Sequence, residues 1–336
     1  MGKRTKNLSG LSHFAKQAFQ ENVAADSSHH NNDNPSPITS KQQYHDGGPA
    51  KVTKQNNRGA AKSRPVGLLG AEWRALDATG LVPHYKNASE VPEHLQKYFS
   101  QRKRYFTLYD QGCLLDEEGW YSVTPELIAD QIAERCRCGT VLDAFCGVGG
   151  NAIAFAKTCE RVIALDISPV RLALARHNAV IYGVADRIEF ILADYISFAN
   201  AYLSRSAEKH PIDVVFLSPP WGGPDYISQN HDVQCISDQS DINPRRHPEF
   251  NLANIKPIHG ADLFHLTRKI TKNVAYFLPR NTSLDELSAL LLDSSSSLSN
   301  QDAGEMLEVE EQWMGTKLKA LTCYFGGLAH DQQHLF

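Results

Sequence analysis

Short apolar runs alternate with segments of helical period through most of the second half of the chain. Thr140-Val141-Leu142-Asp143-Ala144-Phe145 reads as a first strand, Asn151 to Lys157 as a helix and Arg161 to Asp166 as a second strand. Pro169 suits the first turn of a helix that carries Val170, Leu172, Leu174, Ala175 and Ala179 on one face, and Gly183 closes it. Ile188 to Leu192 predicts a third strand, Ala199 to Ser206 a weaker helix and Asp213 to Leu217 a fourth, buried strand. Asp262 to Thr271 then predicts a helix, Val274 to Leu278 a fifth strand and Leu284 to Leu292 a helix. Met306 to Met314 and Leu318 to Phe325, joined by Gly315-Thr316-Lys317, suit an antiparallel hairpin. The pattern predicts an α/β fold, a mostly parallel seven-stranded sheet covered on both faces that ends in that hairpin. In such a sheet ligands bind beyond the carboxyl ends of the strands.

The flanks differ. Residues 1–66 hold ten Lys+Arg against four Asp+Glu, a balance of +6, so the rest of a chain of net charge -4 carries -10. With His29-His30-Asn31-Asn32, Pro35, Pro37 and Gly47-Gly48 and no sustained apolar period, this segment is expected to be a disordered basic arm. It suits RNA contact, nuclear targeting or a plain solvated tail. Asp293 to Ala303, with serine from Ser294 to Ser297, is expected to be a surface loop. No stretch approaches the roughly 20 apolar residues of a membrane helix, and no apolar run follows Met1 to Lys6 as in a secretory signal. Seven cysteines scattered through apolar segments suit reduced thiols and a cytosolic or nuclear setting. Cys136-Arg137-Cys138 lacks metal-ligand spacing and a nearby His, so no metal is expected.

Two loops carry candidate chemistry. After the first strand, Gly147, Gly149 and Gly150 permit a tight turn and close backbone approach to a ligand. Asp166, ending the second strand, stands near the offset at which a carboxylate meets ribose hydroxyls. The spacing is not that of a dinucleotide site and no basic residue attends a pyrophosphate, which favours a nucleoside without phosphates and points to S-adenosylmethionine. Asp194, just past the third strand, is then placed for an adenine amine, or is an ordinary loop carboxylate. The second loop, Ser218-Pro219-Pro220-Trp221-Gly222-Gly223-Pro224-Asp225-Tyr226, follows the fourth strand. Its prolines remove donors and stiffen it, so the Ser218 side chain and the carbonyls of Ser218 and Pro219 can hold the two hydrogens of a planar exocyclic amine. Trp221 offers a surface on which a base stacks. Orientation of a delocalised lone pair, with the proton lost after transfer, needs no strong general base.

Glu118-Gly119-Trp120-Tyr121-Ser122-Val123-Thr124-Pro125-Glu126, Asp143 to Asn151, Ser218 to Tyr226 and Phe277-Leu278-Pro279-Arg280-Asn281 occur in one order, and from about Tyr98 to Phe325 the chain resembles the trimethylguanosine synthases. These are Rossmann-like class I S-adenosylmethionine-dependent methyltransferases that dimethylate N2 of a 7-methylguanosine RNA cap. The resemblance implies that Thr124, Asp143, Phe145, Gly147, Gly149, Asp166 and Asp194 line the cofactor pocket. It implies that Trp221 stacks on 7-methylguanine, that Ser218 and Pro219 hold N2, and that Asn178 is a further candidate for the base edge. Arg280 and Tyr226 are implied to meet the cap phosphates, with Arg102, Lys103 and Arg104 as helpers or as a solvated helix end. Residues 67–136 are expected to form a small helical subdomain closing the cofactor site, and 137–330 the methyltransferase domain. Ser168 stands where the family often has a second acid, and Tyr109 where Phe is usual.

Two other readings compete with the expected cap guanosine-N2 methyltransferase. An enzyme acting on an internal base shares the amine chemistry but has no use for phosphate-binding cations beside Trp221. A non-catalytic cap platform has no use for the cofactor turn. Capped small nuclear or nucleolar RNA is the expected partner, with small ribonucleoprotein proteins beside it, for a monomer in the nucleus or nucleolus.

Overall fold

Odd and even positions of the strands point to different cores. A computed structural model of the protein describes residues 67–205, 211–222, 249–295 and 306–330, and these fall in one compact unit, Val66–Asp331. Among the described residues, four α-helices precede the sheet: α1 (Glu93–Phe99), α2 (Arg102–Tyr105), α3 (Glu117–Ser122) and α4 (Glu126–Arg135). Then follow β1 (Thr140–Asp143), α5 (Gly150–Thr158), β2 (Arg161–Asp166), α6 (Pro169–Ile181), β3 (Ile188–Leu192), α7 (Tyr195–Leu203) and β4 (Val214–Leu217). The last elements are α8 (Gly260–Arg268), β5 (Val274–Pro279), α9 (Leu284–Ser295), β6 (Leu307–Met314) and β7 (Lys317–Phe325). The sheet runs β3-β2-β1-β4-β5-β7-β6. Its first five strands are parallel and β7 is antiparallel to both neighbours.

Val141, Val162, Val214, Phe216, Ala275 and Phe277 join one core, whereas Leu142, Ile163, Val215, Leu217 and Tyr276 join the other. This period of two with both sides buried is what a parallel sheet between helical layers requires. The first core also takes Leu95, Phe99, Tyr109, Trp120 and Ile128. The helices before the sheet therefore share a core with it. Its centre is aromatic: the Tyr109 and Trp120 rings lie 5.5 Å apart, with Phe99 about equally close to both.

Two helices begin earlier than their apolar periods suggest. α7 starts at Tyr195 because Asp194 caps it, Oδ2 accepting from Ser197 N–H at 2.9 Å, a side-chain bond that satisfies one of the open amides of a first turn. α8 starts at Gly260, where His259 Nδ1 accepts from Ala261 N–H at 3.1 Å. The hairpin turn is shorter than expected, because Lys317 already lies in β7. The arm over residues 1–66 and most of the Ser-rich segment lie outside the described residues.

Candidate active site

β1 and β4 are adjacent and their following connections leave in opposite directions along the sheet, so a crevice opens beyond their carboxyl ends. A cleft of about 660 Å³ lies there. Thr124, Phe145, Gly147 and Asp166 line one part, and Ser218, Pro219, Trp221 and Arg280 another.

Gly147 has φ 53° and nothing where a Cβ would stand, so its backbone is open to a ligand. Gly149, at φ 93°, does not line the cleft; a Cβ there would come within 3.2 Å of the Ala175 backbone, so it permits α5 to begin against α6. Asp166 is 7% exposed; its Oδ2 accepts from Gly147 N–H at 3.0 Å and its Oδ1 from Ser168 N–H at 2.8 Å. It thus fixes the turn while each oxygen keeps a lone pair for a hydroxyl. Thr124 Oγ1 accepts from Asn151 Nδ2 at 2.9 Å, joining the end of α3 to the start of α5. Asp194 does not line the cleft, and its Oδ2 accepts from Ser197 N–H at the start of α7, so its observed role is that of a helix cap.

Asp143 is fully buried, and neither carboxylate oxygen has a hydrogen-bond partner. Burial pushes its carboxyl up to about 7; the Phe145 amide opposes this, Asp166 adds to it and the Ala152 amide opposes it, though neither amide reaches hydrogen-bonding geometry. The folded value exceeds the unfolded one, so this stability is full below about pH 4 and is lost as pH rises through 7. In the cofactor-free protein, Asp143→Asn should flatten the decline in melting temperature between about pH 4 and pH 7; thermal melts across that range check it.

At the acceptor end, Trp221 is half-buried with its ring against Phe277, centroids 5.4 Å apart and planes at 35°. It touches both cores, so it is partly a packing residue as well as a cleft wall. The Pro220 carbonyl accepts from Lys256 N–H at 3.3 Å, tying down the loop.

Two further expectations change. The Asn178 side chain is wholly buried: Nδ2 donates to the carbonyls of Leu114 and Val148, both at 2.9 Å, and Oδ1 accepts from Leu114 N–H at 2.8 Å. It positions the cofactor turn through Val148 and has no group left for a base. Arg102 and Lys103 pair with Asp110 at 3.4 and 2.7 Å, and Arg102 also covers the Phe99 ring, so neither lines the cleft. Tyr226 lies outside the described residues. Asn178→Ala should lower stability by about 2–4 kcal/mol, since it leaves buried backbone groups unpaired. Thermal melts and cap KM measured together distinguish this from a base contact, which would raise KM without comparable loss of stability.

The sequence reading missed Lys97, Lys317 and Lys319, which line the cleft with Arg280. Among the described residues none of these four has a carboxylate partner. Burial, then Lys317, Arg104 and Arg280, hold the Lys319 amine below the usual lysine range. Arg104 adds to this positive field from α2 but, like its two helix neighbours, does not line the cleft. The signal was legible as Lys317-Leu318-Lys319, two cations on one face of a strand.

A family model described as RNA cap guanine-N2 methyltransferase matches residues 138–328. The trimethylguanosine synthase of Schizosaccharomyces pombe is 38% identical over 219 residues, covering 64% of this chain and 82% of that one. The trimethylguanosine synthase of Saccharomyces cerevisiae is 33% identical over 213 residues, covering 61% of each. The chain belongs to the RNA cap guanine-N2 methyltransferase family. A solved SAM-dependent methyltransferase from Agrobacterium tumefaciens is a looser likeness, 18% identical with TM-score 0.41, over 61% of this chain and 63% of that one.

The methyl donor of this RNA cap guanine-N2 methyltransferase is S-adenosylmethionine, and the residues present fit it. Asp143 does not line the cleft, but its orphaned carboxylate lies behind the turn and favours a cationic group in the cleft; the open lone pairs of Asp166 suit two ribose hydroxyls, and Gly147 leaves room for close approach. When bound, the cofactor supplies a methyl group on a sulfonium, an electrophile that needs no further activation.

Proposed function

We propose that the enzyme acts on a cap already methylated at N7 and carries N2 through two successive transfers to 2,2,7-trimethylguanosine. The observation that carries this reading is the cleft wall formed by Trp221 beside Ser218 and Pro219, with Arg280, Lys317 and Lys319 lining the same cleft. 7-Methylguanine is a cation, and an indole attracts it by about 0.5–2 kcal/mol beyond the stacking of a neutral ring. Ser218 and the Pro219 carbonyl hold N2 so that its lone pair faces the methyl group, and the proton leaves after transfer. Most of the rate gain then comes from orientation, a source that supplies up to about 7–11 kcal/mol in intramolecular analogues. The unpaired cations receive the triphosphate bridge, a group that an internal base lacks. The test is a comparison of otherwise identical caps with and without the N7 methyl. Efficient methylation only of the first is expected, and equal rates would overturn the reading.

The cations give a separate prediction. Lys317→Gln with Lys319→Gln should raise KM for a triphosphate-bridged cap about 10-fold or more, since charged hydrogen bonds each contribute about 1.5–3 kcal/mol. Methylation of 7-methylguanosine nucleoside should be nearly unchanged in steady-state assays. The substrates in the cell are proposed to be small nuclear and nucleolar RNAs, met in the nucleus and nucleolus by a monomer among small ribonucleoprotein proteins. The names of the yeast relatives support capped RNA as the substrate, and the basic balance of residues 1–66 suits contact with it.

A further inference from the structure

At the opposite end of the sheet from the cleft, two cysteines face each other. The β1–β2 register pairs Thr140 with Arg161. It continues backwards, with Arg161 N–H donating to the Gly139 carbonyl at 2.9 Å and Glu160 N–H to the Cys138 carbonyl at 3.3 Å. Two residues before the Thr140–Arg161 pair, on the same face, stand Cys138 and Cys159. Their sulfurs are 3.9 Å apart, with the Cys138 thiol donating to Cys159. Neighbouring strands lie about 4.7–4.9 Å apart, within the roughly 4.4–6.8 Å Cα separation of disulfides. Cys138 is half-buried and Cys159 is 3% exposed, so solvent reaches the pair through Cys138.

We infer that Cys138 and Cys159 are a site of reversible disulfide formation that ties together the ends of the strand–turn–helix unit carrying the cofactor turn. Neither residue lines the cleft or takes part in the chemistry above. The hydrogen bond holds the proton on Cys138, pushing that thiol up and drawing the Cys159 thiol down, so the accessible Cys138 sulfur becomes the nucleophile when its proton passes across the 3.9 Å contact to Cys159. With hydrogen peroxide as oxidant, Cys138 sulfur attacks one peroxide oxygen: an S–O bond forms, the O–O bond breaks, and the departing hydroxide takes a proton to become water. Cys159 sulfur then attacks Cys138 sulfur; the S–S bond forms, the S–O bond breaks, and hydroxide leaves with the last thiol proton as a second water. Two thiols are oxidised and one peroxide is reduced.

The test uses the full chain treated with peroxide, alkylated, digested with trypsin and analysed by mass spectrometry. Cleavage after Arg137, Lys157 and Arg161 separates Cys138, Cys159 and Cys136 into three peptides, with Cys146 remaining beside Cys138. The expected product is a cross-link between the peptides 138–157 and 158–161, lost on reduction with dithiothreitol and absent in Cys138→Ser. Cys146→Ser, as a second variant, should retain it. Full alkylation of Cys138 and Cys159 after peroxide, a bond from Cys159 to Cys136, or a cross-link that persists in Cys138→Ser would each overturn the inference.

Discussion

Trp221→Ala should reduce kcat/KM for a 7-methylated cap by about 10- to 5000-fold, the sum of about 1–3 kcal/mol of stacking and about 0.5–2 kcal/mol of cation attraction. The indole also packs on Phe277, so part of the loss could come from a loosened loop. Trp221→Phe separates the two: it retains a ring against Phe277 and a stacking face, and weakens the attraction for a cationic base. It should recover most of the activity, with the remaining deficit larger for the 7-methylated cap than for any residual reaction of the unmethylated one. Initial-rate kinetics on both caps, with cofactor affinity measured in parallel, check this. Cofactor affinity should be unchanged, because no part of the cofactor site described here uses Trp221.

Asp166→Ala should be as severe by a different route. Its carboxylate accepts from both Gly147 and Ser168, so truncation leaves two backbone donors unpaired, each costing about 1–3 kcal/mol, and removes the acceptors for ribose hydroxyls. Cofactor affinity should fall by about 100-fold or more, read by calorimetry, while cap affinity measured without cofactor changes little. Asp166→Asn keeps two acceptor lone pairs on one atom but places a donor against Gly147 or Ser168, so it should rescue little.

The central strands β1, β2, β4 and β5 were legible because each is a short run buried along nearly its whole length, and period and turn residues suffice to place such runs. β2 and β3 begin and end where the apolar pattern does. Helix starts were less legible because side-chain caps set them: Asp194 looked like a ligand carboxylate and is also the cap of α7. The site divided along the same line. Loop residues at strand ends, such as Ser218, Trp221 and Arg280, reach the cleft because the sheet brings all strand ends there. Asn178 was misread because a polar residue on an apolar helix face signals a buried bond as readily as a ligand contact, and only the fold shows the Leu114 and Val148 backbone opposite it. Lys317-Leu318-Lys319 showed two of the cleft's cations, but Lys97 and Lys319 are over 200 positions apart in the chain, and spacing carries no information that the C-terminal hairpin brings them together.

The most direct test of the account is mass spectrometry of a 7-methylguanosine cap dinucleotide incubated with the enzyme and S-adenosylmethionine. The account predicts a gain of one and then two methyl groups, both on N2, with neither gained by the Trp221→Ala enzyme over the same time. A protein that binds cofactor and cap yet adds no methyl group, or adds it at a position other than N2, would contradict it.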